Sequence, residues 1–86
     1  MSKREILCEL GYDECVVFEA PDYDAAIIGV TTDDRIVYDY DLMVEELMKR
    51  DGMTQEEAID FIEFNTIRAI PYAGAGAPIV MHGIEE

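Results

Sequence analysis

The sequence predicts an α+β fold: a small, mostly antiparallel sheet with a helical hairpin packed on one face, preceded by a short N-terminal helix. Two β-rich runs, residues 25–31 and 36–40, flank the polar segment Thr32-Asp33-Asp34-Arg35, which is the pattern of a β-hairpin. After residue 41 the apolar period changes from two to about 3.6, as it does when a strand gives way to a helix. The 86 residues suffice for one core, and residues 1–86 are read as a single domain.

Residues 3–10 place Ile6 and Leu10 four apart with Leu7 beside them, and Gly11 suits the residue after a helix end. Residues 15–18, Cys-Val-Val-Phe, read as a short β run closed by the turn-like Ala20-Pro21-Asp22. In the second hairpin strand Ile36, Tyr38 and Tyr40 share one face and Val37 and Asp39 the other, and the tyrosine face is expected to be buried. Asp41 is expected to cap a helix over 42–50 that turns Val44, Leu47 and Met48 inward. Glu45 to Lys49 and Glu46 to Arg50 are acid-before-base pairs one turn apart, which support a helix.

Asp51-Gly52 breaks that helix, and Thr54-Gln55-Glu56-Glu57 is a capping box opening a second one. The second helix is expected to run from 55 to about 68, with Ala58, Ile59, Phe61 and Ile62 inward, and the short turn between the two makes them a hairpin. Pro71 is expected to end the helical run, and residues 77–84 to hold a last short strand.

Charge is the dominant compositional feature. Twenty carboxylates face six Lys and Arg, for a net charge of −14, and Glu5, Glu9, Asp13, Glu14, Glu19, Asp22, Asp24, Asp33 and Asp34 follow one another with no base between them. Such a surface repels nucleic acid and anionic membranes and attracts basic partners or divalent cations. Half the residues are apolar, so the chain is expected to fold despite this charge. No run approaches the roughly 18 apolar residues of a membrane span, and no signal-type segment follows the first residues, so the chain is read as cytoplasmic. Cys8 and Cys15 form no CxxC pair and read as reduced, partly buried small hydrophobes.

The glycine-rich stretch IPYAGAGAPIV, residues 70–80, invites comparison with a phosphate-binding loop. Walker loops need Gly-Lys-Ser/Thr at a helix start, and dinucleotide loops need a strand before and a helix after. Here a helix precedes, a β-like run follows, and residues 69–84 hold no charged group except His82 when protonated, so the stretch reads as a hinge that turns the chain back onto the sheet. As an uncharged segment it is also a candidate docking surface.

The acid-tyrosine clusters Asp22-Tyr23-Asp24 and Tyr38-Asp39-Tyr40-Asp41 offer oxygen ligands for a hard cation, but neither has EF-hand spacing, and turn, cap and half-buried tyrosine roles account for them. No metal, cofactor or catalytic residue is assigned: His82 is the sole histidine and no nucleophile–base pair is evident. On the second helix Glu56, Asp60 and Glu63 follow i, i+4, i+7, with Glu57 at the start, a stripe that mildly destabilises the helix and otherwise serves as a solvated face.

Tyr38-Asp39-Tyr40-Asp41, Gly52-Met53-Thr54-Gln55-Glu56-Glu57-Ala58 and Asn65-Thr66-Ile67-Arg68-Ala69-Ile70-Pro71-Tyr72 together resemble a group of small acidic proteins of bacterial and phage genomes. The resemblance runs through most of the chain from about Glu5 and attaches no activity. In size and acidity the chain is also similar in type to anti-CRISPR proteins and other nucleic-acid-mimicking inhibitors. Within the last motif Arg68 is expected to pair with a carboxylate, and Asn65 and Thr66 to bond to backbone as the helix ends. The functional alternative is a polar pocket formed by Asn65, Thr66, Arg68 and Tyr72 beside the glycine loop.

The leading expectation is a non-enzymatic protein that occupies a basic, normally nucleic-acid-binding surface of a protein partner, using Glu56, Glu57, Asp60 and Glu63, then Asp22, Asp24, Asp33 and Asp34. Two rivals stand beside it. One is an interaction module working through a sheet edge or the Gly-Ala loop, self-association included, and the other a metal-dependent enzyme built on the acid-tyrosine clusters.

Overall fold

In the computed structural model, which describes residues 2–12, 14–19 and 22–84, the chain folds as α+β. Helix α1 spans Lys3–Glu9, and the Ser2 hydroxyl caps it by accepting from Glu5 N–H. Gly11, at a φ of 90°, reverses the chain, while its own N–H reaches Cys8 O and that of Tyr12 reaches Leu7 O. That paired closure is a Schellman motif, which needs a residue that tolerates positive φ.

Residues 15–18 do not join the sheet, contrary to the β expectation. The Phe18 N–H donates to the Tyr38 hydroxyl at 3.1 Å, and the Phe18 ring packs on Tyr38 and Tyr23 at centroid distances of 4.7 and 5.8 Å. A backbone donor committed to a side chain is lost to a ladder, so aromatic packing holds the segment instead. The turn expected at Ala20-Pro21 lies outside the described residues.

A short 3₁₀ turn, Asp24–Ala26, takes the first residues of the expected strand, leaving β1 as Ile27–Val30. Strand β2, Ile36–Asp39, pairs with it antiparallel. Between them Asp34 N–H bonds to Thr31 O and Thr31 N–H to Arg35 O, with Asp34 at a φ of 64°. This is a three-residue hairpin loop closed by a left-handed residue, a conformation that aspartate tolerates better than most side chains.

The tyrosine face is buried as the alternation predicts: Ile36 and Tyr38 are fully enclosed, and Tyr40 is 7% exposed. Helix α2 spans Tyr40–Asp51, but its cap is Asp39, whose carboxylate accepts Leu42 N–H at 3.0 Å, and not Asp41, which stands in the first turn. Asp39 keeps extended backbone as the last residue of β2, which is the conformation a cap requires. The helix starts two residues earlier than expected, its inward stripe is Tyr40, Met43, Val44 and Leu47, and Met48 is left partly exposed. Of the two expected helical ion pairs, Glu46–Arg50 closes at 3.6 Å, and among the described residues Glu45–Lys49 does not.

Gly52 ends α2 in the left-handed region, and α3, Gln55–Phe61, opens with the full capping box. The Thr54 hydroxyl accepts Glu57 N–H at 3.2 Å, and the Glu57 carboxylate accepts Thr54 N–H at 3.0 Å. The helix expected to reach residue 68 instead widens into a π turn, Ile62–Thr66, and tightens into a 3₁₀ run, Ile67–Ala73. Pro71 lies inside that run and does not end it, because its fixed φ suits 3₁₀ geometry. Gly74 ends it, with φ 87° and ψ −166°, in a region open essentially to glycine.

From there the chain returns to the start of β2, and β3, Ile79–Met81, pairs with β2 in parallel, Val37 opposite Ile79 and Asp39 opposite Met81. The sheet order β1-β2-β3 leaves β1 and β3 as edge strands. A crossover carrying the helical hairpin is what a parallel pair requires. The core lies between sheet and hairpin, with Tyr23, Ile36, Tyr38, Met43, Leu47 and Ile62 at its centre.

Candidate functional site

The four acids of the stripe are all exposed along α3 and the turn that follows. Glu56 and Asp60 stand one α-turn apart, while Glu63 sits in the π turn, which swings it away from an ideal helical row. Its place is marked by Tyr40: burial raises that phenol above its ordinary pKa, and the charges of Glu63, Asp41 and Asp60, in that order, add to the effect. His82 covers the same ring at a centroid distance of 4.4 Å. His82 is otherwise exposed.

Glu57 has a second task. Hydrogen bonds from the Thr54 backbone N–H, and then from its hydroxyl, hold the Glu57 carboxyl below the usual carboxylate range. It remains on the surface, where with Asp60 and Asn65 it borders a groove of about 410 Å³ floored by Met53, Phe61 and Phe64. Phe64, 65% exposed, is an aromatic that the core does not use.

Asp22 and Asp24 are placed differently from the expectation of open contact residues. Arg4 Nε meets Asp24 at 3.0 Å, and Arg50 reaches the Asp22 carboxylate at 3.4 Å and its carbonyl at 2.9 Å. Both carboxylates thus tie the segment before β1 to the helices. Asp33 and Asp34 lie on the hairpin loop. Asp33 accepts from the Thr31 hydroxyl, which lowers its pKa, and the Asp34 carbonyl accepts from the Cys15 thiol at 3.2 Å. The α3 acids facing Tyr40 and the loop acids therefore lie at opposite ends of β2, four residues at about 3.3 Å each. The eight expected contact residues form three separate groups.

All five ion pairs among the described residues use Arg4 or Arg50. Lys3 instead donates to Ile27 O at 2.5 Å, on edge strand β1, and Arg35 to Ala77 O at 2.8 Å. Among the described residues Arg68 forms no ion pair, contrary to expectation; its guanidinium lies over the Phe64 ring, 5.9 Å from the centroid. Among the described residues none of these cations forms an ion pair with Glu56, Glu57, Asp60 or Glu63.

The polar pocket proposed for Asn65, Thr66, Arg68 and Tyr72 does not assemble. Asn65 donates to Phe61 O at 3.1 Å, Thr66 is buried against the Tyr23 hydroxyl at 2.9 Å, and Tyr72 is 91% exposed. The glycine stretch behaves as a hinge: residues 73–76 are exposed, while Ala77 and Pro78 are buried where the chain rejoins the sheet. Among the described residues no three His, Cys, Asp or Glu side chains are arranged to hold a metal ion, and no helix is long and apolar enough to cross a membrane.

The groove beneath Phe64 escaped the sequence reading. Its signal was present: Phe64 falls outside the inward set Ala58, Ile59, Phe61 and Ile62, an apolar residue with no place in the core pattern. No family model matches the chain, and no curated protein or solved structure shows significant similarity to it.

Proposed function

We propose that the protein is a non-enzymatic acidic binding protein that docks the outer face of α3 on a basic, normally nucleic-acid-binding surface of another protein and excludes the nucleic acid by competition. The observation that carries this reading is the segregation of charge. Arg4 pairs with Glu19 and Asp24 in the segment before β1, and Arg50 with Asp22, Glu46 and Asp51, while Glu56, Glu57, Asp60 and Glu63 stay exposed without an ion pair among the described residues. Carboxylates rising about 1.5 Å per residue along a helix present a row of anions, as does a DNA strand with its phosphate every roughly 3.4 Å of axis. Long-range attraction then steers association, and salt weakens it. Phage-borne inhibitors of the anti-CRISPR type are the kind of protein this mechanism resembles.

Glu56, Glu57, Asp60 and Glu63 are the principal contact residues, with Asp33 and Asp34 as a second, separate patch. Asp22 and Asp24 are assigned to holding the fold because their carboxylates already meet arginines. The test is capture of a partner from host lysate by tagged protein at low and high salt, with nuclease treatment. A basic protein retained after nuclease and released by salt is expected, with the fourfold variant Glu56→Gln, Glu57→Gln, Asp60→Asn, Glu63→Gln losing it. Unchanged affinity and salt slope in that variant would end the assignment.

A second reading has its own observation: among the described residues β1 and β3 each pair with β2 alone and form the two edges of the sheet, where a further strand could pair, self-association included. It predicts salt-insensitive binding that a proline placed in β3 abolishes.

A further inference from the structure

We infer that the groove under Phe64 receives one lysine or arginine side chain of the partner, its aliphatic stem lying on Met53, Phe61 and Phe64 and its charged head meeting Glu57 and Asp60. The inference rests on the acidic-surface reading and supplies it with an anchor.

The groove, about 410 Å³, combines two chemistries. Its floor is apolar, and Phe64 is exposed far beyond what a core aromatic would show. Two of the three polar groups on its rim are carboxylates, and the third, Asn65, is anchored by an amide N–H given to Phe61 O. Although Glu57 accepts from Thr54 N–H through Oε1, a carboxylate has a second oxygen and more than one lone pair to offer. No lysine or arginine of the chain itself lines the groove.

These features select the occupant. An anion would meet two carboxylates, and an apolar ligand would cover them without giving a hydrogen bond, which is costly. A hard cation such as calcium seeks six to eight oxygens, whereas half the lining is apolar. A basic side chain satisfies both parts at once, because lysine and arginine carry a long apolar stem and a charged tip. The guanidinium of Arg68, already over the Phe64 ring, is an instance of this contact within the chain. Glu57, Asp60, Phe61, Phe64 and Asn65 follow one another at helical spacing, and the last two stand in the π turn.

The full chain, labelled with ¹⁵N, would be titrated at low salt with a short arginine-rich peptide and with a Gly/Ser peptide bearing one arginine. The expected result is amide shifts converging on Met53, Phe61, Phe64 and Asn65. Phe64→Ala changes no charge, yet it should weaken binding of the arginine-rich peptide about three- to tenfold. Asp60→Asn, which disturbs no packing at an exposed site, should weaken it comparably, and the loop variant Asp33→Asn, Asp34→Asn should leave the single-arginine peptide unaffected. Binding that is steeply salt-dependent but equal in the native chain and in Phe64→Ala would overturn the groove and leave the acidic-surface reading standing. No binding of the arginine-rich peptide to the native chain at low salt would overturn both.

Discussion

The hydroxyls of Tyr23 and Thr66 meet at 2.9 Å in the interior, joining the segment before β1 to the π turn 43 residues later. Tyr23 is fully buried and Thr66 nearly so, so neither can turn to water if the other is removed. Tyr23→Phe deletes one oxygen and keeps the ring, leaving Thr66 with a buried hydroxyl. Such an orphan costs about 1–3 kcal/mol, and bonding back to a helical carbonyl four residues earlier would trim this to about 1–2 kcal/mol. For a domain of this size that is a fall in Tm of roughly 5–15 °C. Thr66→Val should cost a similar amount by orphaning the phenol. The double variant should cost clearly less than the sum, because no unsatisfied hydroxyl remains, giving a coupling of about 1 kcal/mol. Thermal and urea denaturation of the four proteins closes the cycle. Additivity within about 0.3 kcal/mol would refute the inference that this bond holds the π turn, and with it the placement of Glu63, Phe64 and Asn65.

Gly74→Ala should destabilise the protein by about 1–3 kcal/mol, since φ 87° and ψ −166° exclude a side chain, whereas Gly76→Ala should be near neutral because a Cβ there meets only Val16 Cγ2 at 3.9 Å. Equal costs, measured by urea unfolding, would mean that both glycines are needed for something other than the hinge. Burial raises the pKa of Tyr23 and of Tyr38. A raised folded pKa favours the native state below the unfolded value of about 10 and ceases to do so as pH climbs through the folded one, so Tm should drop above about pH 10. Ionisation of all five tyrosines at that pH, read by tyrosinate absorbance, with no loss of fold would contradict the burial. With a net charge of −14, moderate salt should raise Tm by screening self-repulsion, and the fourfold α3 variant should show a smaller salt effect together with a higher Tm at low salt. A Tm independent of salt in both proteins would indicate that the α3 acids are already compensated.

The parts of the fold legible in advance are those whose causes lie within a few residues. The Thr54–Glu57 capping box forms as its spacing implies, Gly11 and Gly52 close helices at positive φ, and Ile36, Tyr38 and Tyr40 alternate into the core. Misplaced features depend on where neighbouring elements stop. Asp39 and Asp41 are equally suited as caps, and the end of β2 selects the first; the same choice turns Met43 inward and Met48 outward. The π turn was hidden because residues 55–68 satisfy a helical period, and its widening accompanies the bond from Thr66 to Tyr23, which belongs to another part of the chain.

The candidate site divides along the same line. Total charge, the absence of a phosphate-loop pattern and the acid row on α3 follow from composition and spacing, which fold-independent chemistry governs. Which acids remain open does not, because Arg4 meets Asp24 across 20 residues and Arg50 meets Asp22 across 28, contacts that no local window contains. The direction of β3 and the groove under Phe64 are likewise products of the path taken after Gly52. Local propensities shape the elements within it, but their packing against the sheet places its end beside the start of β2 and leaves the Phe64 ring exposed beside the groove that Glu57 and Asp60 border.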